Sequence, residues 1–178
     1  MIGFLVFDSG FLISIANRES RIENLSDVIM ELSQQADQRL WWPFVGTSMS
    51  PYIRDGDMLL VQHTLYPIRL GDVIVFKRAG GFVAHRVVSV RKQGNNSVYR
   101  TKGDNVRSFD APISQSSVLG QVVRIQKNGK SINLEKPHIK ILNIGLAAFS
   151  YAIGILYGFA IFHCRFLISK IANLKSKI

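Results

Sequence analysis

A hydroxyl, an imidazole and a carboxylate follow one another along this chain within stretches whose neighbours suit chemistry. Ser48 lies in Gly46-Thr47-Ser48-Met49-Ser50-Pro51, His85 in Ala84-His85-Arg86-Val87-Val88, and Asp104 in Gly103-Asp104-Asn105, with Asp110 further along the same polar loop. A serine attacks a carbonyl only when a base takes its proton, and the base works best when a third group holds its tautomer. Gly46 lets the backbone turn sharply and approach a substrate closely, and Pro51 fixes the direction of exit. An imidazole titrates close to neutral pH, so His85 is a natural base. His63, His138 and His163 compete poorly: the last two flank an apolar segment, and His63 has no companion motif. Either Asp104 or Asp110 would orient the histidine.

These residues must be positioned by the elements around them. From Phe44 to Leu134 the apolar residues follow the two-residue period of strands. Expected strands include 58–62, 72–76 and 82–90, separated by Asp55-Gly56-Asp57, Gly80-Gly81 and Gly94-Asn95-Asn96. A hairpin is expected over 121–134, turning at Asn128-Gly129, where both residues tolerate positive φ. His85 sits on an expected strand, with Val83 and Val87 on its face and Ala84, Arg86 and Val88 on the other.

Ahead of this region, Leu25, Val28, Ile29, Leu32 and Ala36 recur at helical spacing, so an amphipathic helix is expected over 20–39. Residues 1–16 are apolar but contain Asp8 and lack a basic flank, which suits a packed strand or helix better than a leader. Trp41-Trp42-Pro43 should end the helix, as core or as an anchor at a membrane interface.

Beyond the β region, residues 141–163 contain no Asp, Glu, Lys or Arg. At about 1.5 Å per residue this run reaches across a bilayer core of about 30 Å. Lys140 precedes it, and Arg165, Lys170, Lys175 and Lys177 follow. The chain carries a net charge of +10. A basic excess beside a greasy segment points to phospholipid rather than nucleic acid, for which no motif is present. Cys164 is the sole cysteine, so neither an internal disulfide nor a cysteine-built zinc site can form. The chain therefore divides into 1–40, an apolar segment and helix; 41–137, a mostly β domain; and 138–178, a hydrophobic helix with a basic tail.

The motifs resemble those of the signal peptidase I family. Ser48-Met49-Ser50-Pro51 is similar to its Ser-Met-x-Pro nucleophile box, and Gly71-Asp72-Val73-Ile74-Val75-Phe76 to the strand that follows. His85-Arg86-Val87 resembles the base box of the archaeal and endoplasmic-reticulum branch, where His replaces the Lys of the common bacterial enzymes. Lys102-Gly103-Asp104-Asn105 is similar to the last box. In that branch a second Asp follows six residues later, here Asp110. The resemblance covers about residues 40–125.

It implies a mostly β, signal-peptidase-like or LexA-like coiled sheet with an N-terminal helix and a C-terminal hydrophobic helix. It implies a membrane-associated serine endopeptidase acting on leader peptides, with no cofactor and no metal. Its partners would be a peptide or protein substrate and membrane lipid. Ser48 would be the nucleophile, His85 the base and Asp110 its orienting acid, with Asp104 supporting the loop. The Ser48 amide, helped by the backbone at Gly46, would face the oxyanion. There are departures. The family often has Ser where this chain has Gly46, the reticulum branch has Asp where this chain has Phe109, and no clear membrane helix precedes Ser48. A LexA-like self-cleaving regulator and an inactive scaffold on the same fold remain alternatives.

Overall fold

The computed structural model describes residues 6–7, 39–63, 67–78, 81–94 and 96–175. The helix expected over 20–39 falls, except for Arg39, outside these residues. The described chain forms strands β1 (Val6–Phe7), β2 (Arg39–Pro43), β3 (Met58–Gln62), β4 (Val73–Arg78), β5 (Gly81–Gln93), β6 (Asn96–Lys102), β7 (Ile113–Ser114), β8 (Val118–Lys127) and β9 (Lys130–Asn133). One long helix, α1 (Pro137–Lys175), follows.

The strands form one antiparallel sheet in the order β1-β2-β3-β8-β4-β5-β6-β7, and β9 pairs with β8. Register shifts at Leu60/Val61, Val75/Phe76 and Val87/Ser89 bend it, since an unpaired residue increases local twist. The turn between β8 and β9 has Asn128 at φ 48° and Gly129 at φ 73°, as the Asn-Gly pair predicts.

The pleat sorts side chains into two cores. Val73, Val75 and Ala84 join Met49, Ile53, Leu59 and Ile125 in one cluster. Ile74, Phe76 and Val87 join Ile68, Tyr99 and Ile113 in the other, with Val83 against them. His85 pairs with Ile74 and meets Phe76 edge-on, with centroids 6.2 Å apart. It therefore shares the face of Val83 and Val87, as the period of two requires. Trp42 lies in β2, opposite Leu59, and packs against the first core and edge-on against Phe82. The Trp-Trp-Pro run is thus a strand in the sheet, half inside the domain. Pro43 closes this strand.

Candidate active site

A buried plug holds the loop that carries Ser48. Met49 and Ile53 are fully buried, and Ile53 N–H donates to the Met49 carbonyl at 3.0 Å. Gly46 has φ +111°, a conformation that side chains disfavour, and its N–H donates to Asp55 Oδ1 at 2.7 Å. Ser50–Pro51 is a cis peptide. Between the glycine turn and the Met49 plug, Ser48 is held half-buried at the wall of a cleft of about 480 Å³. His85 lines the same cleft, with Trp42, Val45, Arg78 and Phe82.

The Gly103-Asp104-Asn105 loop straps this serine loop to β5 and β6. Asn105 N–H donates to the Ser48 carbonyl at 2.8 Å, and Asn105 Nδ2 to the Thr47 carbonyl at 3.2 Å. A Cβ added at Gly103 would lie 2.6 Å from the Ser48 carbonyl oxygen and 3.0 Å from His85 Nε2. Only glycine permits that approach, so Gly103 is where the serine loop and the imidazole converge.

On the other side of the ring, His85 Nδ1 lies 2.6 Å from Asp110 Oδ2. A carboxylate only accepts, so Nδ1 carries the proton and Nε2, toward the Gly103 side, is free to accept one. Thr101 Oγ1 donates to the same Asp110 oxygen at 2.8 Å, and Arg78 NH1 to the other at 3.1 Å. Burial pushes the Asp110 carboxyl up. The His85 hydrogen bond and charge, the Thr101 hydroxyl and the Arg78 guanidinium outweigh this and hold it below the ordinary carboxylate range. The Asp110 N–H also bonds the Thr101 carbonyl at 3.0 Å, which fixes the loop.

Asp104 faces elsewhere. It accepts a two-pronged bond from Arg86, Nε to Oδ1 at 2.9 Å and NH2 to Oδ2 at 2.7 Å. Arg86 is fully buried, stacks over the Tyr52 ring at 5.1 Å, and donates from NH1 to the Gly71 carbonyl and to Asn143 Oδ1. Of the two candidate acids, Asp110 meets His85, and Asp104 neutralises a buried arginine that braces the loop.

Sequence reasoning missed Thr101, Arg78 and Arg86 as parts of the site. Arg86 had a signal, since its alternation with Ala84 and Val88 put a charge on an inward face. Thr101 pairs with Val87 in the register of β5 and β6, and nothing local marks it. Among the other histidines, His63 Nδ1 bonds the Leu119 carbonyl. Among the described residues no group of three His, Cys, Asp or Glu side chains could hold a metal ion.

The β sheet and this cluster together define a peptidase-like domain. The Peptidase S24-like family model matches residues 10–123, well over half of the chain, and the chain belongs to that family. It is also 37% identical over 83 residues to Signal peptidase I W of Bacillus subtilis (strain 168). That alignment covers 44% of this chain and 44% of the relative, so the chain spans less than half of the relative's length.

Proposed function

We propose that the chain is a membrane-associated serine endopeptidase that cleaves leader peptides of exported precursors, of the signal peptidase branch that uses a histidine base. Ser48 attacks the scissile carbonyl. His85 takes the serine proton at Nε2 and returns it to the leaving amine. Asp110 holds the tautomer and stabilises the imidazolium that forms. The Ser48 amide, with the backbone at Gly46, faces the developing oxyanion. The observation that carries this reading is the 2.6 Å contact of His85 and Asp110 at the wall of the cleft that Ser48 lines.

A lysine base is the mechanistic alternative. Lys102 is the buried lysine beside the site, but its ammonium bonds Ser150 Oγ at 2.9 Å and the Gly103 carbonyl at 3.3 Å. It pairs in register with Arg86, whose side chain joins Asn143 of α1, so it is turned toward the helix rather than the cleft.

Membrane association rests on α1. Pro137–Arg165 is long and apolar enough to cross a membrane. Phe149, Leu156 and Phe159 are 67–68% exposed on its outward side. We read α1 as the membrane-associating element, with its exposed apolar side toward lipid and its inward stripe resting on the peptidase domain.

The test is the pH dependence of cleavage of a quenched fluorescent peptide, an apolar run followed by small residues as in a leader. With a histidine base, kcat/KM rises with pH toward neutrality and then levels off. His85→Ala abolishes that limb with most of the activity. A profile that still climbs above about pH 8, with activity lost in Lys102→Met but kept in His85→Ala, overturns the assignment.

A further inference from the structure

One stripe of α1 touches the chain neighbours of His85, Gly103 and Asp110. Asn143, Ala147, Ser150 and Gly154 are buried along a helix whose other faces are largely exposed. Their spacing of four, three and four puts them on one side. Asn143 Oδ1 accepts from Arg86 NH1 at 2.9 Å, and Arg86 follows His85 in β5. Ser150 Oγ accepts from Lys102 Nζ at 2.9 Å, and Lys102 precedes Gly103, the residue packed on the Ser48 carbonyl and His85 Nε2. Gly154 lies under Phe109, which precedes Asp110; a Cβ there would fall 2.4–2.9 Å from three carbons of the Phe109 ring. Tyr151 meets that ring at a tilt, with centroids 5.4 Å apart.

Physical chemistry makes these contacts strict. Arg86 and Lys102 are both fully buried, and a buried cation without its acceptors is costly. Burial pushes the Lys102 ammonium down from its usual value, and Asp104 and Asp110 pull the other way. A helix that slides by one residue moves about 1.5 Å and rotates by roughly 100°. Such a slip would break both hydrogen bonds and drive a side chain into Phe109.

We propose that α1 is a positioning element of the catalytic site: Asn143, Ser150 and Gly154 set His85, the Gly103 strap and Asp110 in mutual register, so turnover depends on how the apolar helix is seated. This inference rests on the peptidase reading above. It makes the helix more than an anchor, because lifting it would misplace all three groups at once.

The experiment uses the full chain in vesicles of phosphatidylcholine and phosphatidylglycerol. Cleavage of the quenched leader peptide is measured beside the low-field proton resonance of His85 Nδ1. Ser150→Ala, Asn143→Leu and Gly154→Leu are expected to lower kcat about 10- to 100-fold, with KM within about twofold. Their vesicle binding should not change, and the His85 resonance should shift or broaden. Ser150→Thr, which keeps the hydroxyl, should restore kcat, and Phe109→Ala should restore much of it in the Gly154→Leu background. Wild-type kcat with an unmoved resonance in all three variants overturns the proposal, as does a loss carried by KM alone. Ser48→Ala in the same vesicles separates the two claims. If cleavage survives that change, the peptidase reading has failed, and the resonance still reports whether the stripe positions His85.

Discussion

His85 Nδ1 and Asp110 Oδ2 stand 2.6 Å apart, although they come from a central strand and from a loop 25 residues later. Asp104 is itself the acid of the Gly-Asp-Asn motif, yet it bonds Arg86 and not His85. The two carboxylates thus have different partners, one an imidazole and the other a buried guanidinium.

That division predicts different phenotypes. Asp110→Asn keeps the shape but loses the charge that fixes the tautomer, and turnover should fall by up to about 10⁴-fold with a modest change in melting temperature. Asp104→Asn leaves the buried Arg86 with neutral partners only. Breaking a buried pair from one side costs roughly 3–5 kcal/mol, so thermal unfolding should register it first. Equal melting temperatures for the two variants, with the larger kinetic loss in Asp104→Asn, would reverse the assignment.

Asp110 also sets part of the acid stability. Its folded pKa lies below its unfolded value. The unfolded state therefore binds its proton more readily, and the contribution is present above the unfolded value of about 3.9. It is lost as pH falls through the depressed folded pKa. Denaturant unfolding across that acid window should show a steeper loss for the wild type than for Asp110→Asn. Parallel curves would mean that the carboxyl is not held ionised by its neighbours.

Much of the fold was legible because strands with one buried face announce themselves. Met58–Gln62 was expected and found with the same bounds, and β5 put His85 with Val83 and Val87 as the alternation required. β6 was less legible, since Asn96–Lys102 is largely polar. Its buried Thr101 and Lys102 make sense only beside Asp110, which returns across a loop, and Ser150, which comes from α1. The Trp41-Trp42 strand was hidden for the same reason: its register against Leu59 and Leu60 is a long-range contact. The candidate triad residues stood out through their flanking motifs, and the resemblance already favoured Asp110; what the sequence did not carry is that Asp104 is taken up by Arg86 while Asp110 meets His85. The stripe on α1 was hidden among residues that are small or apolar on every side.

The outward face of α1 can be tested apart from its docked stripe. Phe149, Leu156 and Phe159 lie opposite Asn143 and Ser150 on the helix, and each is more than 60% exposed. Changing all three to Gln removes about 1.5–3 kcal/mol of apolar burial per side chain in lipid. The triple variant should move from the carbonate-resistant membrane fraction toward the soluble one while its melting temperature stays near that of the wild type. Full membrane retention would assign the lipid contact to another part of the chain.

The central claim is that Ser48 is a nucleophile activated by His85. The most direct measurement is covalent: incubate the purified full chain with a serine-reactive electrophilic probe, digest it, and locate the adduct by mass. The account predicts one modified peptide, with the probe on Ser48, labelled slowly in His85→Ala and not at all in Ser48→Ala. Labelling on another serine that persists in Ser48→Ala, together with unchanged peptide cleavage by that variant, would contradict it.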